Sequence, residues 1–405
     1  MSYEHVHPGG VREWARPMDP RDPHEEHRVA TPLELFFDLV FVVAVAQAAN
    51  SLHDALADGA VAAPTARYVA VFLTIWWAWM GFSWFASAYD TDDIAYRLTV
   101  FVQMTGALII AAGIPRAFDD LDFGVIVVGY VVMRLAQVVH WLRAAAHAPP
   151  DVRRCALRFA AGITTCQIGW IARLALPGAW GVAGFALLMA AELLVPVWAE
   201  RAAPTAWHPS HIAERYGLFT IIVLGESILA GTVAVQTVVD EVGLDAELVG
   251  IIAGGLLIVF SMWWIYFDYQ TPHVLTSNRP GFIWGYGHLV VFAAVAAVGA
   301  GLAVAVDHAA GHGHVSDVRA GAVVAVPVAV YLLSLWVLHL VLDVAPAGSR
   351  ATAPLTAVLV LAAPATGQPV LVVGVLVAAM MAFKLVVRVR RPDAAGRPTE
   401  ATRSP

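Results

Sequence analysis

Lysine is almost missing from this chain: Lys384 is the sole one. A G-x-x-x-x-G-K phosphate-binding loop is therefore absent, which argues against a built-in nucleotide motor. Cysteine is nearly as scarce. Cys155 and Cys166 allow no disulfide framework and form no C-x-x-C metal or redox motif. H-E-x-x-H and G-x-S-x-G are both missing, so no residue is assigned a catalytic role and neither a metal nor a cofactor is expected. Charge is thin as well. Only 14% of the 405 residues are charged, against about 25% in a soluble domain. The net charge of −7 gives no reason to expect a nucleic-acid partner. Residues 1–30 are polar and contain no apolar run, so no cleavable signal peptide is expected there.

What the chain has is hydrophobic runs. Hydrophobic residues make up 59% of it, and the mean hydropathy is +0.70. A membrane-crossing helix needs about 20 apolar residues. Runs of that kind fall at 33–51, 66–89, 97–115, 122–142, 157–176, 179–199, 213–235, 248–269, 284–306, 319–342, 352–365 and 368–389. The pattern predicts an all-α integral membrane protein of about twelve transmembrane helices, with the bilayer as its first partner. Of the 24 basic residues, 19 then fall on the side of both chain ends. Arg67, Arg116, Arg173 and Arg319 fall on the other side, and Arg134 lies within a span. The positive-inside rule places both ends in the cytoplasm, and the membrane expected is the inner (plasma) membrane.

The second half echoes the first. "ELFFDLVFVVAVAQ" from Glu34 aligns with "ERYGLFTIIVLGES" from Glu214, and Trp76–Trp77 align with Trp263–Trp264. His140 matches His339 in the same order. Six spans separate equivalent helices, and an even number keeps their orientation, so two parallel six-helix repeats are expected. The organisation read from this is a disordered tail at 1–30, repeats at 31–205 and 206–390, and a second tail at 391–405.

"TPLELFFDLVFVVAVAQ", "ERYGLFTIIVLGESILA", "WWIYFDY" and "YGHLVVFAAVAAVGAGL" resemble the low temperature requirement protein A family of bacterial membrane proteins. The resemblance runs from about Thr31 to the end of the last helix, and the two acidic blocks are its most specific part. It implies a multi-pass integral membrane protein. It implies no mechanism, because the family's name records a growth phenotype.

The candidate functional residues are the polar groups inside the spans. Glu34 and Asp38 lie one turn apart on one helical face. Glu214 occupies the same level in the seventh span, and His288 lies early in the ninth. Asp268 ends the eighth. Arg134, Glu192 and Glu226 lie nearer the midplane, where Arg134 needs a carboxylate, Glu226 first and Glu192 second. Together they suggest a pathway for a proton or small cation, with Asp38 and Glu226 as two stations. Simpler readings stand beside this one. Glu34 and Glu214 suit the positive end of a helix. His140, His288 and His339 suit a satisfied core. The tryptophan clusters suit an interface belt or helix packing, the belt first, rather than an aromatic cage for a cation. "DTDD", Asp90 to Asp93, offers the alternative of a lipid-diphosphate enzyme holding a divalent cation, and a non-transporting helper or sensor is a third class. An oligomer is not indicated.

Overall fold

A computed structural model describes residues 14–22, 25, 28–268, 274–312, 315–343 and 350–389. The described residues form only helices: α1 (Pro32–Ala57), α2 (Ala62–Tyr89), α3 (Ile94–Asp119), α4 (Gly124–His147), α5 (Pro150–Arg173), α6 (Gly178–Ala199), α7 (Pro209–Val242), α8 (Ala246–Phe267), α9 (Asn278–Ala309), α10 (Asp317–Val341), α11 (Thr352–Ala362) and α12 (Pro369–Val389). Ten of these are long and apolar enough to cross a membrane. The two others are α5, whose surface carries Arg153, Arg154 and Arg158, and α11, which has 11 residues before a 3-10 turn at Ala363–Ala365. The expectation of twelve spans thus stands at ten by length and composition.

Helix starts are written locally. Thr31 caps α1 in a reciprocal box with Glu34, and Pro32 occupies the first turn, where a missing N–H costs nothing. Asp93 caps α3 by accepting from the Tyr96 amide at 2.7 Å, and Asp245 does the same for α8 through Leu248 at 2.8 Å.

Helix α2 and helix α9 are the most enclosed, and α6, α7 and α12 turn most of their surface outward. Trp76, Trp77 and Trp79 of α2 are fully buried. The belt reading is therefore corrected for these three: they fill the bundle interior, where Trp79 stacks on Phe219 at 4.4 Å. Trp263 and Trp264 of α8 are 44% and 42% exposed on the outer face.

Close helix approach rests on small residues, as is common in membranes. A Cβ added at Gly106 of α3 would lie 2.6 Å from the Gly129 carbonyl oxygen of α4, and one at Gly129 would meet the Gly106 oxygen at 2.6 Å. Neither backbone can yield without separating the helices. Gly106→Val is expected to destabilise the protein by roughly 1–3 kcal/mol or more, read as a lowered melting temperature in detergent. An unchanged melt would mean that the pair moves apart freely.

Part of the expected N-terminal tail is built into the bundle. Residues 14–22 and 28–30 run without helix or strand across one end as a strap. Met18 is buried. The Arg21 amide donates to the Ala88 oxygen at 2.9 Å, the Ala95 amide donates to the Trp14 oxygen at 3.0 Å, and the Arg16 amide donates to Asp93 at 2.9 Å. Residues 1–13 and the C-terminal segment 391–405 lie outside the described residues.

Candidate functional site

Helix α1 and helix α7 meet beneath the strap. Each presents two polar side chains one turn apart: Glu34 and Asp38 on α1, His211 and Arg215 on α7. All four are buried. The Arg215 guanidinium forks onto Asp38, with Nη2 at 2.5 Å from Oδ1 and Nε at 3.1 Å from Oδ2. Its Nη2 also donates to Ser83 Oγ at 3.2 Å. Trp79 Nε1 donates to Asp38 Oδ1 at 2.7 Å. Glu34 divides its work between its two oxygens. Oε2 accepts from the Thr31 amide at 2.6 Å, which is the helix-end role. Oε1 faces His211 Nε2 at 3.1 Å, Arg215 Nη1 at 3.2 Å and Arg28 Nη2 at 3.5 Å.

The network continues outward through the strap. Arg28 and Arg21 each stand 3.4 Å from Asp90 at the end of α2, and Arg21 pairs with Glu25 at 2.6 Å. Three guanidinium groups thus face four carboxylates, with His211 among them. Glu214 holds the strap by accepting from the Ala30 amide at 3.1 Å. The Asp90 carboxyl is pushed up to about 6, by burial first and by Glu34 second, against the pull of Arg28 and Arg21.

The sign of that shift fixes a pH dependence. The folded chain keeps the Asp90 proton to about pH 6, while an unfolded aspartate releases it near pH ~4. The stability gained from this group is therefore complete below about pH 4 and lost as pH rises through 6. Asp90→Asn should flatten the melting temperature between pH 4.5 and 7.5. A slope identical to the wild type would assign the dependence elsewhere.

A second buried pair lies deeper, among α2, α4, α5 and α6. Arg134 Nη2 is 2.5 Å from Glu192 Oε2. Trp77 Nε1 donates to the same oxygen at 3.0 Å, and Gln167 Nε2 donates to Oε1 at 2.9 Å. The preferred partner, Glu226, is thereby replaced by Glu192. Glu226 is half-buried on the outward flank of α7 and makes no hydrogen bond or ion pair among the described residues. It lies eleven residues beyond Arg215, ~16 Å along the helix, so it and Asp38 do not come together. His288 is fully buried on α9, with Nε2 2.9 Å from the Tyr266 hydroxyl and Nδ1 2.7 Å from the Trp284 oxygen. Asp268 ends α8 and interacts with Lys384 of α12.

The "DTDD" carboxylates do not converge on one point. Asp90 faces Arg21 and Arg28, Asp92 pairs with Arg97 at 2.6 Å, and Asp93 pairs with Arg143 at 2.6 Å. Each is spent on guanidinium groups that the others do not meet.

Sequence reasoning missed His211 and Arg215. The run expected from 213 leaves His211 outside and puts Arg215 at its very end, counted with the cytoplasmic-side charges, but α7 begins at Pro209 and carries both inside. The signal was present as H-x-x-x-R on one helix against E-x-x-x-D on the other, two matched one-turn ladders of opposite charge.

An uncharacterized protein of Rhizobium meliloti (strain 1021) is 27% identical over 327 residues, covering 73% of this chain and 72% of that protein. No solved structure matches significantly. Residues 29–386 match the family described as bacterial low temperature requirement A protein (LtrA). That span takes in the α1–α7 ladder, the Arg134–Glu192 pair and every helix but the final residues of α12, and the chain belongs to this family of membrane proteins.

Proposed function

We propose that the protein is a proton- or cation-linked transporter or channel, built as two parallel six-helix repeats, whose α1–α7 ladder closes one end. The observation that carries this reading is the place of the ladder. Helix order supports the repeat in part: α1 packs on α3, α3 on α4, α4 on α5 and α5 on α6, while α7 packs on α9, α9 on α10, α10 on α11 and α11 on α12, but α8 packs on α12 with no comparable packing of α2 on α6 among the described residues. On this reading α1 and α7 are equivalent, and the Asp38–Arg215 fork joins the halves at their contact.

A joint of this kind suits a moving part. The attraction within a buried ion pair is largely offset by the cost of desolvating both ions. Letting water in therefore costs less than tearing open an apolar contact of similar size. Asp90 adds a group that holds a proton to about pH 6 in the same network.

The test is flux in liposomes containing the purified protein, with protons, Na⁺ and K⁺ followed separately. The wild type should carry at least one of these above protein-free vesicles. The paired change Asp38→Asn with Arg215→Gln keeps hydrogen bonding and removes both charges, so it should raise the passive leak. No flux from either protein would sink the transport reading.

A further inference from the structure

On the far side of the bundle from the strap, α1, α2, α9 and α10 line a groove of about 460 Å³. Its walls are apolar and include Leu56, Val69, Ala293, Val323 and Val330. Tyr68 also faces it, but its hydroxyl is spent on the Ala293 oxygen at 2.7 Å. Arg319, in the first turn of α10, is the one charged residue lining the groove.

We propose that this groove seats an acyl chain of an anionic phospholipid whose phosphate is held by Arg319. Two observations select that occupant. The first is length. From Arg319 to Val330 the groove follows eleven residues of α10, ~16 Å at the helical rise. That is half of a hydrocarbon core about 30 Å thick, the depth of one leaflet, with the guanidinium at headgroup level. The second is charge. Arg319 is exposed and has no hydrogen bond or ion pair among the described residues. The nearby carboxylates are already engaged: Asp317 meets His308 at 3.0 Å, and Asp307 meets His53 at 2.7 Å. A free guanidinium fork over an apolar slot matches a phosphate bearing a tail. The site is separate from the α1–α7 ladder and does not depend on transport.

Native mass spectrometry of the full-length protein tests this, with phosphatidylglycerol and phosphatidylcholine of identical chains added in turn. The wild type should retain phosphatidylglycerol over phosphatidylcholine by about fivefold, the size expected of one basic side chain near a membrane surface. Arg319→Gln should erase that preference while keeping both lipids. Val326→Trp, on the groove wall, should lower retention of both. Inorganic phosphate should not displace the lipid. Both substitutions are at exposed positions, and a melt at the wild-type temperature confirms folding. Equal retention of the two lipids by the wild type, an unchanged preference in Arg319→Gln, unchanged occupancy in Val326→Trp, or displacement by phosphate alone would each overturn the proposal.

Discussion

Arg215→Gln should destabilise the protein by roughly 3–5 kcal/mol, the usual cost of stripping one partner from a buried pair. The residue is fully buried and holds both Asp38 oxygens. After the change, Asp38 keeps Trp79 as its donor but has lost its counter-ion, and must stay charged without one or take up a proton. Glu34 retains His211 and Arg28, so the loss centres on Asp38. Arg215→Lys should recover little, because an ammonium cannot fork onto two oxygens. Asp38→Leu combined with Arg215→Met should recover most of it, since the uncompensated charge disappears with its partner. Melting of the detergent-solubilised protein reads all three. A single variant that melts with the wild type would show that the fork contributes nothing net, and a double variant as weak as the single would show that shape rather than charge is at stake.

Glu192→Leu should fall in the same range, roughly 3–5 kcal/mol, and for a sharper reason. Arg134, Trp77 and Gln167 all donate to this one carboxylate. Removing it orphans three donors at once, one of them a guanidinium that is 3% exposed. Glu192→Gln keeps an acceptor and should lie between the leucine variant and the wild type. Arg134→Met placed on top of Glu192→Leu should restore part of the loss, giving a coupling energy in a double-mutant cycle. Additive losses would mean that the two side chains are stabilised independently, against the 2.5 Å contact. Glu226→Gln serves as the contrast. Its carboxylate has no partner to lose, so its melt should match the wild type.

The contrast between Glu192 and Glu226 shows what sequence could and could not give. Both carboxylates fall near mid-span, and depth along a helix is readable from residue counting. Rotation about the helix axis is not, and rotation decides that Glu192 looks inward while Glu226 lies on an outer flank. Arg215 failed for another reason. Charge counting assigns a basic residue near a span end to the loop, and the capped start of α7 at Pro209 moves it a full turn inside. The tryptophans share this ambiguity: Trp77 and Trp264 each follow another tryptophan in an apolar run and have opposite surroundings in space. The strap was illegible because nothing local marks it. Its polar composition reads as a tail, and its order comes from amides and guanidinium groups reaching residues more than fifty positions away. By contrast, the helices, the Glu34–Asp38 face and the need of Arg134 for a carboxylate were all written in spacing and hydropathy.

The Asp38–Arg215 fork also sets a schedule for synthesis. Its partners are 177 residues apart in the chain. At about 5–20 residues per second on the ribosome, Asp38 waits roughly 10–35 s for its guanidinium. The first helix therefore enters the membrane before its counter-charge has been made. Until α7 arrives, Asp38 has to hold a proton or stay close to water at the translocon. A nascent chain arrested between α2 and α7 displays an unmatched acid within its first span, a mark by which membrane quality control can tell an unfinished copy from a finished one.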